Sequence, residues 1–161
     1  MFFKKKQQKI RVAYVDGIKD VFKLENESVD LINDSYHNKL LINSVISKKR
    51  TASLSLEKIT DVRDIKDTEI KEVNKSVVGR AIVGHLLMGS LGAIIGGVSG
   101  VGTKQQSTQH HFIIVSYVSE GNQKQLVFEI VGASTGWKDF VAALPKDPDS
   151  PFVIKSGTVE L

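Results

Sequence analysis

The chain has 161 residues, of which 25% are charged and 41% hydrophobic, a balance ordinary for one folded domain with appendages. It contains no cysteine, which excludes disulfides, thiol nucleophiles and cysteine-based zinc sites and fits a cytoplasmic protein. The formal net charge of +4 mildly favours anionic partners such as lipid headgroups.

Residues 1–8 are predicted to be a basic tail that precedes the domain. The first six are not a secretory signal, because the basic residues follow the apolar ones and no apolar core comes after them. Lys4, Lys5 and Lys6, next to two phenylalanines, could rest on an anionic membrane surface, where each lysine contributes about 1 kcal/mol. A solvated tail is the alternative.

Short strands with alternating apolar residues dominate the next part of the chain. Asp16-Gly17 is predicted to be a turn and residues 34–38 a hairpin loop. The charge-dense stretch Asp61–Glu72 is expected to be exposed. Strands are predicted at Lys9–Val15, Val21–Leu24, Ser28–Asn33, Lys39–Ser44 and Thr51–Leu56, with a further strand including Ile59, Val62 and Ile65.

A basic turn precedes the strand predicted at Thr51–Leu56. It consists of Lys48, Lys49 and Arg50. We expect these three side chains to contact anionic lipid headgroups if the domain binds a membrane peripherally.

Residues 76–104 interrupt the strand pattern, and Val77–Gly102 is the most apolar and glycine-rich run of the chain. As one helix this run would be roughly 35 Å long, enough for the roughly 30 Å core of a bilayer. Gly89–Gly92 is typical of a break, however, and glycine is a poor helix former. The sequence therefore predicts an inserted hairpin of two short helices.

The spacing of the glycines favours close packing between helices. Gly92, Gly96 and Gly100 fall four residues apart, on one helix face, and small residues let helix backbones approach closely in lipid. Packing of the hairpin onto its own domain is the alternative. The residues predicted to contact the membrane or other copies are Gly84, His85, Gly89, Gly92, Gly96, Gly97 and Gly100.

Two ionisable residues mark this run. His85 lies within it, where an ionisable group is costly and by default suggests a function, such as facing a water-filled lumen; a passive polar spot is the alternative. Arg80 precedes the most apolar part and can reach headgroups with its long side chain.

The last predicted elements are two strands and a helix. Phe112–Val118 and Gln125–Val131 are joined by Ser119–Lys124, and a helix over Gly136–Leu144 is capped by Ser134 or Thr135. Pro145 ends it. The apolar face of this helix consists of Trp137, Phe140, Val141 and Leu144.

The tail at 146–161 holds two of the three prolines and is predicted to be extended. Its apolar segment Phe152, Val153 and Ile154 could add as a strand to the sheet of another subunit. A frayed terminus is equally compatible with the sequence.

The sequence lacks the patterns typical of catalysis and of nucleotide or metal binding. The histidines lack further ligands at metal-binding spacing, and no Gly-x-Ser-x-Gly elbow occurs. Gly97–Lys104 nearly spells a phosphate-binding loop, but the order Gly-Thr-Lys is wrong for one. Basic residues are scattered, which argues against nucleic-acid binding. We therefore expect no enzyme activity, no cofactor and no metal.

The order of strands and helix resembles a pleckstrin-homology-like (PH-like) barrel, an α+β fold, over residues 9–145. The strings that carry this likeness are Ala52–Val62, FIIVSYV, QLVFEIV and GWKDFVAAL. Together with SVVGRA, Gly92–Gly97 and FEIVGAS, they are similar to a group of small proteins of Gram-positive bacteria, often found in prophages and phage satellites. In that group a PH-like domain is interrupted by a glycine-zipper hairpin.

The glycine face and the basic flank predict a membrane-active effector, and some members of the similar group are suspected of acting at the membrane in defence against phage. Its hairpin would insert at the inner face of the cell membrane, self-assemble and form a pore in phage defence, with copies of itself, lipid and a phage structural protein as partners. The alternatives are a peripheral lipid- or peptide-binding module and a soluble oligomeric regulatory protein.

Overall fold

The computed structural model describes residues 7–24, 26–74, 110–132 and 134–148. Seven strands form one antiparallel sheet in the order β4-β3-β2-β1-β7-β6-β5. The strands are β1 Gln8–Asp16, β2 Ser28–Asp34, β3 Lys39–Ser44, β4 Thr51–Ser55, β5 Ile59–Lys66, β6 His111–Ser119 and β7 Asn122–Glu129. The helices are α1 Asp67–Asn74 and α2 Trp137–Ala142, with a 3-10 turn at Leu56–Lys58.

Strand β1 joins the two halves of the sheet. Its residues 8–13 pair with β2, whereas residues 13–16 pair with β7, and the register shifts between Tyr14 and Asp16. As predicted, Ile10, Val12 and Tyr14 are buried together. The two halves therefore share one core, in which Tyr14 packs against Phe22 and Phe128 with ring centroids 5.2 and 6.3 Å apart.

Helix α2 covers this core beside β1 and β5. Phe140, Val141 and Leu144 are buried and Trp137 is partly buried, which confirms the predicted apolar face. The predicted cap is wrong, because Gly136, at φ +82°, occupies the cap position. Ser134 instead donates its hydroxyl to the Arg11 carbonyl at 2.9 Å and ties the approach to α2 onto β1.

Two loops differ from their predictions. Val21–Leu24 is not a strand: the backbone N–H groups of Val21 and Phe22 both donate to the Ile18 carbonyl, so the chain turns there and buries Phe22. The β6–β7 turn is Glu120-Gly121, with φ +53° and +77°, values that match a tight two-residue hairpin.

The expectation that Asp61–Glu72 is exposed is wrong for Asp61 and Asp67, which are both buried. Asp61 accepts hydrogen bonds from Arg63 Nε and from the Asp147 backbone N–H, both at 2.9 Å. Val62 N–H also donates to the Pro145 carbonyl at 2.9 Å. The buried Asp61 carboxylate is thus compensated by the segment after α2, which holds that segment along β5.

Tyr14 supplies the first stability prediction. Its buried hydroxyl accepts a hydrogen bond from Ile18 N–H at 2.8 Å, and burial raises the pKa of the phenol. Tyr14→Phe leaves that N–H without its acceptor, so we expect the free energy of unfolding to fall by about 1.5 kcal/mol in chemical denaturation. Tyr36→Phe, at an exposed turn, is the control. Equal losses in both variants would contradict the assignment.

Candidate functional site

Because neighbouring strands alternate in direction, the connections between strands lie at two ends of the sheet. The loop rim, as we call one end, comprises the connections 17–27, 45–50 and 120–121. The insert rim, at the other end, comprises the start of β1, the turn at 35–38, the end of β5 and the start of β6. The predicted insert and the basic N-terminal tail both connect at the insert rim.

The two ends of the predicted insert are held next to each other. Lys66 and His111 are paired residues of β5 and β6. One step further, the Asp67 N–H donates to the His110 carbonyl at 3.0 Å. The chain therefore leaves and re-enters the domain at a single point.

Helix α1 begins at this point and is fixed to the domain. The Glu69 carboxylate accepts a hydrogen bond from the Lys66 backbone N–H at 2.9 Å. This is one of the two hydrogen bonds of a capping box, the one in which the third helical residue reaches back to the residue before the helix. Ile70 is fully buried. The start of α1 is thus a rigid base from which the chain leaves the sheet.

Two histidines hold the chain in place where it re-enters the domain at the start of β6. His110 Nδ1 lies 2.5 Å from Glu129 Oε1 on β7, and His111 Nε2 lies 2.9 Å from Asp64 Oδ2 on β5. Trp137 packs edge-on against His111, with ring centroids 4.7 Å apart. Each histidine has its own carboxylate on a different strand, and among residues 7–24, 26–74, 110–132 and 134–148 no three side chains could hold a metal together.

The β2–β3 turn of the insert rim is held by a similar pair. His37 Nδ1 lies 2.7 Å from Asp34 Oδ2, and this hydrogen bond holds the pKa of Asp34 below its usual value. Tyr36 projects into solvent beside it.

The loop rim carries an aliphatic and basic loop between β3 and β4. Val45 and Ile46 are exposed there, and so are Lys48 and Lys49. The loop is closed by hydrogen bonds from Ser44 N–H to the Arg50 carbonyl at 2.9 Å and from Arg50 N–H to the Ser47 carbonyl at 3.1 Å. Its tip therefore has a defined shape.

Arg50, predicted as a headgroup contact, has an ion-pair partner inside the protein. Its guanidinium lies 3.0 Å from Glu27 Oε1, and the Glu27 side chain has no solvent-exposed surface. Ser44 Oγ donates to the same carboxylate oxygen at 2.5 Å. This network links the loops that follow β1 and β3.

Sequence reasoning missed Glu27 and the aliphatic tip. Nothing in the sequence marks Glu27 as buried, since its partners lie 17 and 23 positions away. Val45 and Ile46 could have been found, because two aliphatic residues beside a predicted basic turn lie beyond the strands that would cover them.

The structure separates the predicted contact residues into groups. Lys48, Lys49 and Arg50 belong to the loop rim, opposite to the end where the insert connects. The remaining predicted site residues lie outside the described residues: Lys4, Lys5, Lys6, Arg80, Gly84, His85, Gly89, Gly92, Gly96, Gly97, Gly100, Phe152, Val153 and Ile154.

Neither helix within the described ranges has the length and apolar character needed to cross a bilayer. A search of curated proteins found no significant match. The sequence profile of one family, described as "Glycine zipper containing PH domain", matches residues 5–128, about three quarters of the chain. That range covers β1 to β6, most of β7 and the whole insert. The chain therefore belongs to the family of PH domains that contain a glycine zipper.

Proposed function

We propose that this protein is a membrane-associated, self-assembling effector whose insert enters the bilayer and permeabilises it. The observation that carries the proposal is the closed root of the insert, where Asp67 N–H meets the His110 carbonyl at 3.0 Å. A domain that fixes both ends of an apolar, glycine-rich segment can present it as one unit. The family match supports the same combination of parts.

Self-assembly would compensate for helix arms that are too short to cross the bilayer. Two arms of about twelve residues would each be about 18 Å long, shorter than the roughly 30 Å hydrocarbon core. Several hairpins packed through the face of Gly92, Gly96 and Gly100 would share local thinning of the bilayer. This is a binding and assembly function of a cytoplasmic protein acting at the inner membrane face, with no chemical step.

Dye release from anionic vesicles tests the proposal. We expect Gly96→Leu to lower the rate of release at least about tenfold, the effect of losing about 1.4 kcal/mol of helix association. Val98→Leu enlarges a side chain on the opposite helix face and should release dye like the wild type. Equal release by wild type and Gly96→Leu would remove the glycine face from the mechanism.

The biological setting is proposed from the resemblance to prophage and satellite proteins. In bacteria expressing the full chain, we expect membrane potential to fall upon phage infection, and a chain without residues 76–104 to leave it unchanged. A discrete oligomer that neither releases dye from vesicles nor lowers the membrane potential would favour a soluble regulatory protein instead.

A further inference from the structure

We propose that the outer face of strands β1, β7, β6 and β5 is the surface on which the insert, residues 75–109, docks when no membrane is present. On the inner face, Ile113 and Val115 of β6 lie in the core with Phe128 of β7. Side chains alternate along a strand, so their neighbours point to the outer face. The apolar residues of this outer face are Ile65, Phe112, Ile114 and Val127.

The outer face is buried, although it points away from the core. Ile65, Phe112 and Val127 are 0% exposed, and Ile114 is 1% exposed. Strands that are buried on both faces require a layer of protein on each side of the sheet. The burial exists within a single chain, so a segment of the same chain supplies the outer layer.

The two described helices leave much of this layer to other parts of the chain. Helix α2 belongs to the inner side, where Phe140 is part of the core. Helix α1 lies on the outer side, because Ile70 is fully buried but does not belong to that core. It packs against β5, whereas Val127 on β7 is two strands away, about 10 Å. The layer over Val127 is thus assigned to chain outside the described ranges.

The insert suits this position in connection, composition and size. Helix α1 leads directly into it, and both of its ends are held where the Asp67 N–H meets the His110 carbonyl. From Ala81 to Thr103 its only ionisable side chain is His85, so it can cover an apolar face without burying many charges. Two predicted helices, each about 10 Å across, would cover the roughly 14 Å spanned by four strands.

The C-terminal tail, residues 149–161, is the other segment that could reach the outer face. It follows Asp147, whose N–H donates to Asp61 Oδ1 at 2.9 Å and whose carbonyl accepts from Arg63 Nη2 at 2.7 Å. These contacts place the start of the tail at the edge strand β5. The tail carries charged side chains of both signs, which suit a polar margin better than the apolar centre.

Docking would control when the insert meets the membrane, and this consequence rests on the proposed function, in which the insert enters the bilayer. A segment that covers the outer face hides its apolar side chains from lipid and from other copies. The outer face and the bilayer then compete for the same side chains, and a membrane shifts the balance only by binding the released segment more tightly.

Thiol labelling of the full chain tests the docking, because the sequence contains no cysteine. Three valines give matched single-cysteine variants: Val127 on the outer face, Val115 in the core and Val118, which is 37% exposed on β6. We expect Val127→Cys to react with a maleimide at least about a hundredfold more slowly than Val118→Cys, as Val115→Cys does. Reaction of Val127→Cys at the rate of Val118→Cys would overturn the docking.

Photo-cross-linking in the full chain identifies the segment that covers the outer face. We expect p-benzoylphenylalanine in place of Phe112 to cross-link to residues 75–109 of the same chain. A cross-link to residues 149–161, or to a second copy of the chain, would overturn the assignment to the insert.

Vesicles made of equal parts of phosphatidylglycerol and phosphatidylcholine separate this inference from the proposed function. We expect them to raise the labelling rate of Val127→Cys at least about tenfold and to leave Val115→Cys unchanged. Dye release while Val127→Cys stays protected would overturn the departure of the insert from the outer face. Protection without dye release would support the docking and contradict the proposed function.

Discussion

Gly17→Ala is expected to destabilise the domain by about 4 kcal/mol, the largest effect of any alanine substitution at a glycine of the described residues. Gly17 has φ +122°, a conformation that side chains strongly disfavour. A Cβ atom there would lie 2.5 Å from the Gln125 carbonyl oxygen and 2.9 Å from Leu126 Cα. Both are backbone atoms of β7, so relief requires moving the strand.

The position explains why the approach is so close. Gly17 follows the register shift at which β1 leaves β2 and joins β7. Chemical denaturation of Gly17→Ala and Gly121→Ala measures the effect. Gly121 also has a positive φ, +77°, but nothing lies within 4 Å of the added Cβ, so we expect a loss of only about 1 kcal/mol. Equal losses would show that conformation alone matters and that the contact with β7 does not.

Arg50→Met is expected to destabilise the protein by about 3 kcal/mol, because it leaves the Glu27 carboxylate buried without its charge partner. The Glu27 side chain is fully enclosed, whereas that of Arg50 is 30% exposed. Glu27→Gln therefore costs less, about 1 kcal/mol, since the guanidinium can turn toward water. The double variant should recover about 2 kcal/mol relative to Arg50→Met.

A double-mutant cycle of urea unfolding measures this coupling. The control is Arg11→Met, which breaks the pair between Arg11 Nε and Asp30 Oδ1 at 2.9 Å on the exposed face of β1 and β2. That pair is screened by solvent, so no measurable change is expected. Additive effects of the Glu27 and Arg50 substitutions would refute the network as a unit.

Periodicity identified most elements of the fold. Alternating apolar residues located β1, and the spacing of Phe140, Val141 and Leu144 located the buried face of α2. These patterns work where burial alternates along an element, whereas at the end of β1 Ala13 and Val15 are buried as well as Val12 and Tyr14.

Buried carboxylates whose hydrogen-bond partners lie far away in the chain could not be predicted from such patterns. Asp61 is buried because the Asp147 backbone and Arg63 satisfy it, and Asp147 is 86 positions away. The same holds for Glu27, so charge density along the chain is a poor guide to exposure here. The strand predicted at Val21–Leu24 was wrong for another reason. An apolar run of four residues fits a turn with one buried side chain as well as it fits a strand.

The sequence did not predict where the basic residues of the candidate site lie, and their contact with lipid stays a prediction. Glycine spacing and basic clusters indicated lipid, and the family profile agrees with the combination of domain and zipper. That Lys48 and Lys49 lie at the opposite end from the insert follows only from the alternation of strand direction across the whole sheet. The aliphatic pair Val45 and Ile46 could have been found beside the predicted basic turn, whereas the shape of the loop depends on the hydrogen bonds that close it.

The hydrogen bond between Asp67 and His110 has a consequence for how the inserted segment can vary among related proteins. A segment that starts and ends at one hydrogen-bonded pair lowers the stability of the domain only through the entropy of loop closure. For a flexible loop, each doubling of its length raises that free-energy cost by about 0.6 kcal/mol. The segment between α1 and β6 can thus be exchanged, by evolution or by an engineer, for another of different length that still covers the outer face, while the domain keeps its own stability.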